Sequence, residues 1–94
     1  MIGKSIISRL PLGYVVATPS VLAQVTRNEL EAALERHRNR DWGDVCPQDW
    51  AANDYALTHR GRILSAYRAA NEIKFWIITE ADRSSTTILL PDEY

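Results

Sequence analysis

The sequence predicts an α+β domain in which two or three helices pack on a small antiparallel sheet of three to four strands. Three observations carry that prediction. Apolar residues recur with a helical period up to about residue 60 and alternate from residue 62 onward. The alternating runs are joined by connections too short for parallel crossovers, so neighbouring runs pair as antiparallel hairpins. The run 73–80 is apolar on both faces, Phe75 and Ile77 against Trp76 and Ile78, which places it centrally and covered on both sides.

Each element has a local reason. Residues 1–11 are a mixed leader ending at Pro11, and Leu12 to Ala17 is rich in aromatic and β-branched residues, as a short strand is. Thr18-Pro19 supplies an N-cap oxygen and a proline at the first helical position, opening a short helix to Val25. Thr26-Arg27-Asn28-Glu29 is a capping box that starts the next helix. There Leu30, Ala33, Leu34 and His37 form one stripe, with Glu29, Glu31 and Glu35 early and Arg36, Arg38 and Arg40 late, as the helix dipole favours. Asp41-Trp42-Gly43-Asp44 breaks that helix. Pro47 opens a third, with Trp50, Asn53/Asp54 and Leu57 on its inner face, and Gly61 is expected to end it. Strands follow over 62–68, 73–80 and 85–90, closed by Pro91.

The composition excludes several classes. The chain has 94 residues, 46% hydrophobic and 24% charged, the proportions of an ordinary folded chain, and reads as a single domain over 1–94. A formal net charge of −1 lacks the basic excess of a dedicated nucleic-acid or membrane-surface protein, so direct nucleic-acid binding is the less expected partnership. Cys46 is the lone cysteine, which rules out an intrachain disulfide and a cysteine-based zinc site and suits a reducing compartment. No apolar run spans a bilayer and residues 1–10 do not resemble a signal peptide, so a cytoplasmic location without membrane attachment is expected. Gly-rich phosphate loops, Cys-x-x-Cys and the nucleophile elbow are missing, and no cofactor or metal is expected.

Several residues are candidates for chemistry, each with a plainer structural role beside it. His37, inside Arg36-His37-Arg38-Asn39-Arg40, is either the proton donor of an anion-recognising edge or part of a core stripe at a helix end decorated by cations. Asp41 and Asp44 could be a carboxylate pair for a metal, though two are too few for calcium, or with Trp42 part of a binding surface; the plainer role is a turn in which Gly43 is left-handed, Trp42 covers the core and the carboxylates cap amides. His59 and Arg60, brought near Glu80 by hairpin pairing, would make a His/Arg/Glu acid–base set of the metal-independent ribonuclease kind. Around the last hairpin, Glu80, Asp82, Arg83 and Thr86 beside Trp76 offer a polar loop for phosphate or for another protein; as a surface loop residue, Arg83 is expected to be dispensable for folding. Phe75 and Trp76 face opposite ways, so one of them, with Tyr67 or Tyr14, is available to a partner or a second copy.

Val15-Val16-Ala17-Thr18-Pro19, His37 with Asp41-Trp42-Gly43-Asp44, Asn53-Asp54, Ile63-Leu64-Ser65-Ala66-Tyr67 and the run from Trp76 to Ser84 with Thr86 to Pro91 together resemble a family of small bacterial proteins. Its members are usually called hypothetical or plasmid-related, and some carry a label as a type I restriction enzyme subunit. The resemblance covers about residues 12–94. It implies a mobile-genetic-element setting and no particular activity, because a methyltransferase needs a far larger cofactor-binding domain. In that setting the first expectation is a non-catalytic protein-binding factor, such as an anti-CRISPR or anti-restriction inhibitor of a nucleic-acid-processing defence complex. The second, by analogy of architecture, is a barnase- or RelE-like toxin ribonuclease using His37 or His59, Arg60, Glu80 and Arg83.

Overall fold

Threonine hydroxyls start the first two helices where the sequence places them. Thr18 accepts the Val21 amide at 3.2 Å and Thr26 accepts the Glu29 amide at 3.3 Å. In a computed structural model, which describes residues 9–94 and leaves most of the expected leader outside the described residues, the order is β1 (Tyr14–Ala17), α1 (Pro19–Gln24), α2 (Arg27–Arg38), α3 (Pro47–His59), β2 (Ile63–Arg68), β3 (Lys74–Thr79) and β4 (Ser85–Leu89). A 3-10 turn over Pro91–Glu93 follows. This is the expected α+β arrangement.

The sheet runs β1-β4-β3-β2. The β2/β3 and β3/β4 pairs are antiparallel hairpins, but β1 lies parallel to β4, so the sheet is mixed. The hairpin rule governs consecutive strands only. After β1 the chain passes through three helices before it returns as β2, and that long path permits a parallel pairing.

Register assigns the two faces. Ile63, Ser65 and Tyr67, Phe75, Ile77 and Thr79, and Thr86 and Ile88 share one face. Against it pack Val21, Val25, Leu30 and Ala33 from the first two helices, and a second cluster of Leu10, Leu12, Trp42 and Ala56 around Ile63. The opposite face carries Leu64, Ala66, Trp76, Ile78, Thr87 and Leu89. There Trp76 is half-buried, with the Tyr94 ring 5.7 Å away edge-on. Trp76 therefore belongs to the outer face, beneath the C-terminal turn, and Phe75 to the core.

Two helix ends differ from expectation in detail. Gly61 does not supply the left-handed residue that ends α3; Arg60 does, at φ 62°, and the Gly61 amide reaches back to the Ala56 carbonyl. In the same way Arg40, at φ 69°, follows the Asn39 cap of α2, with Arg40 N–H on His37 O and Asp41 N–H on Arg36 O. Both ends are Schellman-type closures with arginine where glycine or asparagine is usual.

Candidate functional site

The acid–base residues suggested by sequence do not converge. His37 is fully buried, and both of its ring nitrogens are occupied. The hydroxyl of Thr86 donates to the Leu12 carbonyl oxygen at 2.8 Å, so it must accept from Thr79 at 2.7 Å. With its proton committed, Thr79 accepts from His37 Nε2 at 2.8 Å, and Nδ1, left bare, accepts the Ser65 hydroxyl at 2.6 Å. A single backbone carbonyl thus sets the tautomer of a neutral imidazole. Burial lowers the His37 pKa to about 4, and the Trp42 ring lies 5.6 Å away, edge-on. This histidine holds β2, β3 and β4 under α2; it has no proton donor's access to a ligand.

Thr86 and Trp42 are corrected for the same reason. Thr86 is fully buried within that hydroxyl chain, and Trp42 is fully buried with its indole donating to Asp54 at 2.9 Å, so neither forms a binding surface. Asp41 takes two bonds from Arg36, at 2.8 and 3.3 Å, and accepts the Gly43 amide, which together lower its pKa. Asp44 is exposed, and its amide bonds Ala66.

His59 stacks flat on Tyr55 at 3.7 Å, its Nδ1 3.0 Å from the Tyr55 carbonyl oxygen. Glu80 pairs with Arg62, as hairpin pairing of that strand end with residue 62 implied, and not with His59 or Arg60. Asp82 is exposed and accepts the Ser84 amide, and hydrogen bonding from the Ser84 side chain and then from that amide lowers its pKa.

Arg83 is not a free loop residue. Its guanidinium donates to the carbonyls of Gly61 (2.7 Å), Glu80 (3.0 Å) and Ala56 (2.8 Å), tying the β3–β4 turn to the end of α3. The expectation that it is dispensable for folding is corrected accordingly.

Two surfaces remain, and sequence reasoning saw neither whole. The first is the outer edge of β1. Tyr14 is 81% exposed, Val15 42% and Val16 50%. Tyr14 N–H bonds Ser84 O and Thr18 N–H bonds Ile88 O, so the two-residue period turns Val15 and Ala17 outward. Among the described residues no group bonds their amides or carbonyls. The second is a cleft of about 770 Å³ whose lining includes Arg9, Arg40, Arg60 and Arg83, the apolar residues Leu10, Pro11, Trp50 and Leu57, and the carboxylate of Asp54. Its signal in the sequence was the absence of glycine where α2 ends.

No family model, curated protein or solved structure matches the chain. Among the described residues no group of three or more His, Cys, Asp or Glu is placed to hold a metal ion, and no helix is long and apolar enough to cross a membrane.

Proposed function

We propose that this is a non-catalytic binding protein that docks on a partner protein by adding an extended, uncharged strand of that partner to the outer edge of β1. One observation carries the reading: Leu12 to Ala17 contains no charge, the outward backbone groups of Val15 and Ala17 are unpaired among the described residues, and three of its side chains are large, apolar and exposed. Natural edge strands are usually blunted by Lys, Pro or a bulge, and this one has none within Tyr14–Ala17. Strand addition is an established mode of peptide recognition in which backbone bonds supply affinity and alternate side chains supply specificity.

A second copy is the poorer occupant. Two four-residue strands meeting edge to edge bond only through Val15 and Ala17 of each, a contact well short of the ~1,200–2,000 Å² buried by stable complexes. A partner that also covers Tyr14 and Val16, on the sheet's outer face, buries more. If the chain shares the mobile-element setting of the plasmid-related proteins it resembles, a nucleic-acid-processing complex of host defence is the partner class to test first, with this protein as its inhibitor.

The experiment is capture from host cells with wild type, Val15→Pro, Val16→Lys and Arg60→Ala in parallel. Proline at 15 removes only an outward-facing N–H and puts its ring where a partner strand would lie. A stoichiometric protein held by wild type and Arg60→Ala and lost from both edge variants is expected. Retention by the edge variants, or a wild-type dimer that Val15→Pro dissociates, contradicts the reading.

A further inference from the structure

Arginine fills three positions where the backbone favours glycine, and all three line the same cleft. The described residues with positive φ other than glycine are Arg40, Arg60, Glu72 and Arg83. Arg40 and Arg60 end α2 and α3, and Arg83 closes the β3–β4 turn. A side chain with a Cβ is disfavoured in each of these slots, and strained backbone of this kind gathers where a side chain has another task.

Three of the four arginines in that cleft have no ion pair among the described residues. Every ion pair among the described residues involves other arginines, except that of Arg9, which reaches Glu35 at 2.6 Å. Among the described residues Arg40 and Arg60 have no carboxylate partner, and Arg83 donates only to backbone carbonyls. Burial, and to a lesser degree the neighbouring Arg60 charge, lower the Arg83 pKa. Arg40, Arg60 and Arg83 share the lining with one carboxylate, Asp54, whose Oδ1 already accepts the Trp42 indole. In a chain whose formal net charge is −1, this concentration of positive charge is local.

Apolar side chains make up another part of the lining. Trp50 is half-buried there beside Leu57, Pro11 and Leu10. A lone phosphate leaves that part unfilled, whereas the volume lies in the usual small-ligand range of roughly 300–1,000 Å³. The shape and chemistry call for an anion carrying a flat apolar group.

We propose that this cleft binds a nucleotide, with its phosphates between Arg40 and Arg60 above Arg83 and its base against Trp50. Arginine forks match phosphate oxygens in pairs, and an indole face stacks on any base. The site is separate from the β1 edge and does not depend on the partner proposed for it.

Titration calorimetry on the full chain tests it, with ADP, adenosine, inorganic phosphate and a 5′-phosphorylated oligonucleotide as probes. Saturable binding of ADP or of the oligonucleotide is expected, tighter than that of phosphate or adenosine. The tighter of the two tells a free nucleotide from a strand end. Arg40→Gly/Arg60→Gly, which relieves both left-handed positions, is expected to melt no lower than wild type and to weaken binding about tenfold or more. Trp50→Leu should weaken ADP while leaving inorganic phosphate unchanged. No saturable binding of either nucleotide probe, unchanged affinity in the double variant, or phosphate binding as tightly as ADP overturns the proposal.

Discussion

The two edges of the sheet have the same backbone chemistry and opposite protection. Along β2, Asn53 of α3 donates to the Leu64 carbonyl at 2.9 Å and accepts the Leu64 amide at 3.3 Å, imitating a neighbouring strand with one side chain. Two residues on, the Trp42 carbonyl and the Asp44 amide bond Ala66, forming a short parallel bridge through Gly43. Gly43 is required there: its φ is 75°, and a Cβ would collide with the Ala66 carbonyl oxygen. Every outward group of β2 at Leu64 and Ala66 is thereby satisfied. Along β1, the equivalent groups of Val15 and Ala17 have no hydrogen-bond partner among the described residues. Such an edge is a pairing template: β2 is closed by Asn53 and the Gly43 bridge, whereas β1 is uncharged and unpaired among the described residues.

The largest effect is expected on the closed side. Asn53→Ala leaves the Leu64 amide and carbonyl unpaired beneath α3 and should cost about 4 kcal/mol, read as a fall in the urea midpoint with unchanged slope. Next comes the polar chain that fastens β2, β3 and β4 to α2. Because the folded His37 pKa lies near 4, below the ordinary 6.5, the unfolded chain binds the proton more readily. Stability from this residue is whole above about pH 6.5 and declines as pH falls toward 4, by about 3 kcal/mol in all. His37→Gln should flatten that part of the pH profile relative to wild type, and an identical slope in the variant would place the effect elsewhere.

Arg83→Ala ranks third. Losing its bonds to Ala56, Gly61 and Glu80 should cost about 2 kcal/mol, seen as a lower melting temperature. The smallest effect belongs to the open side: Val16→Lys should move stability by less than about 0.5 kcal/mol, since the side chain is half exposed and no backbone bond changes.

The difference between the edges also marks what the sequence could disclose. Local chemistry was legible. Thr18, Thr26 and Pro47 announce helix starts, the stripe Leu30, Ala33 and His37 is buried as its spacing implies, and Gly43 is left-handed. What depends on distant partners was not. The parallel pairing of β1 with β4 joins residues about seventy positions apart, and periodicity within Leu12–Ala17 carries no trace of which strand lies alongside. Asn53 read as one polar residue on a helix because its partner, the edge of β2, lies beyond the next turn. The arginine cleft was hidden twice over, since Gly61 offered an obvious helix stop and Arg40 looked like one more cation at a helix end.

Backbone hydrogen exchange on the purified protein, alone and bound to the partner captured through β1, tests the contrast between the edges most directly. The amides of Val15 and Ala17 should exchange freely in the isolated protein and become protected in the complex, while those of Leu64 and Ala66 are protected in both. Free exchange at Val15 and Ala17 in the complex would contradict β1 as the docking edge.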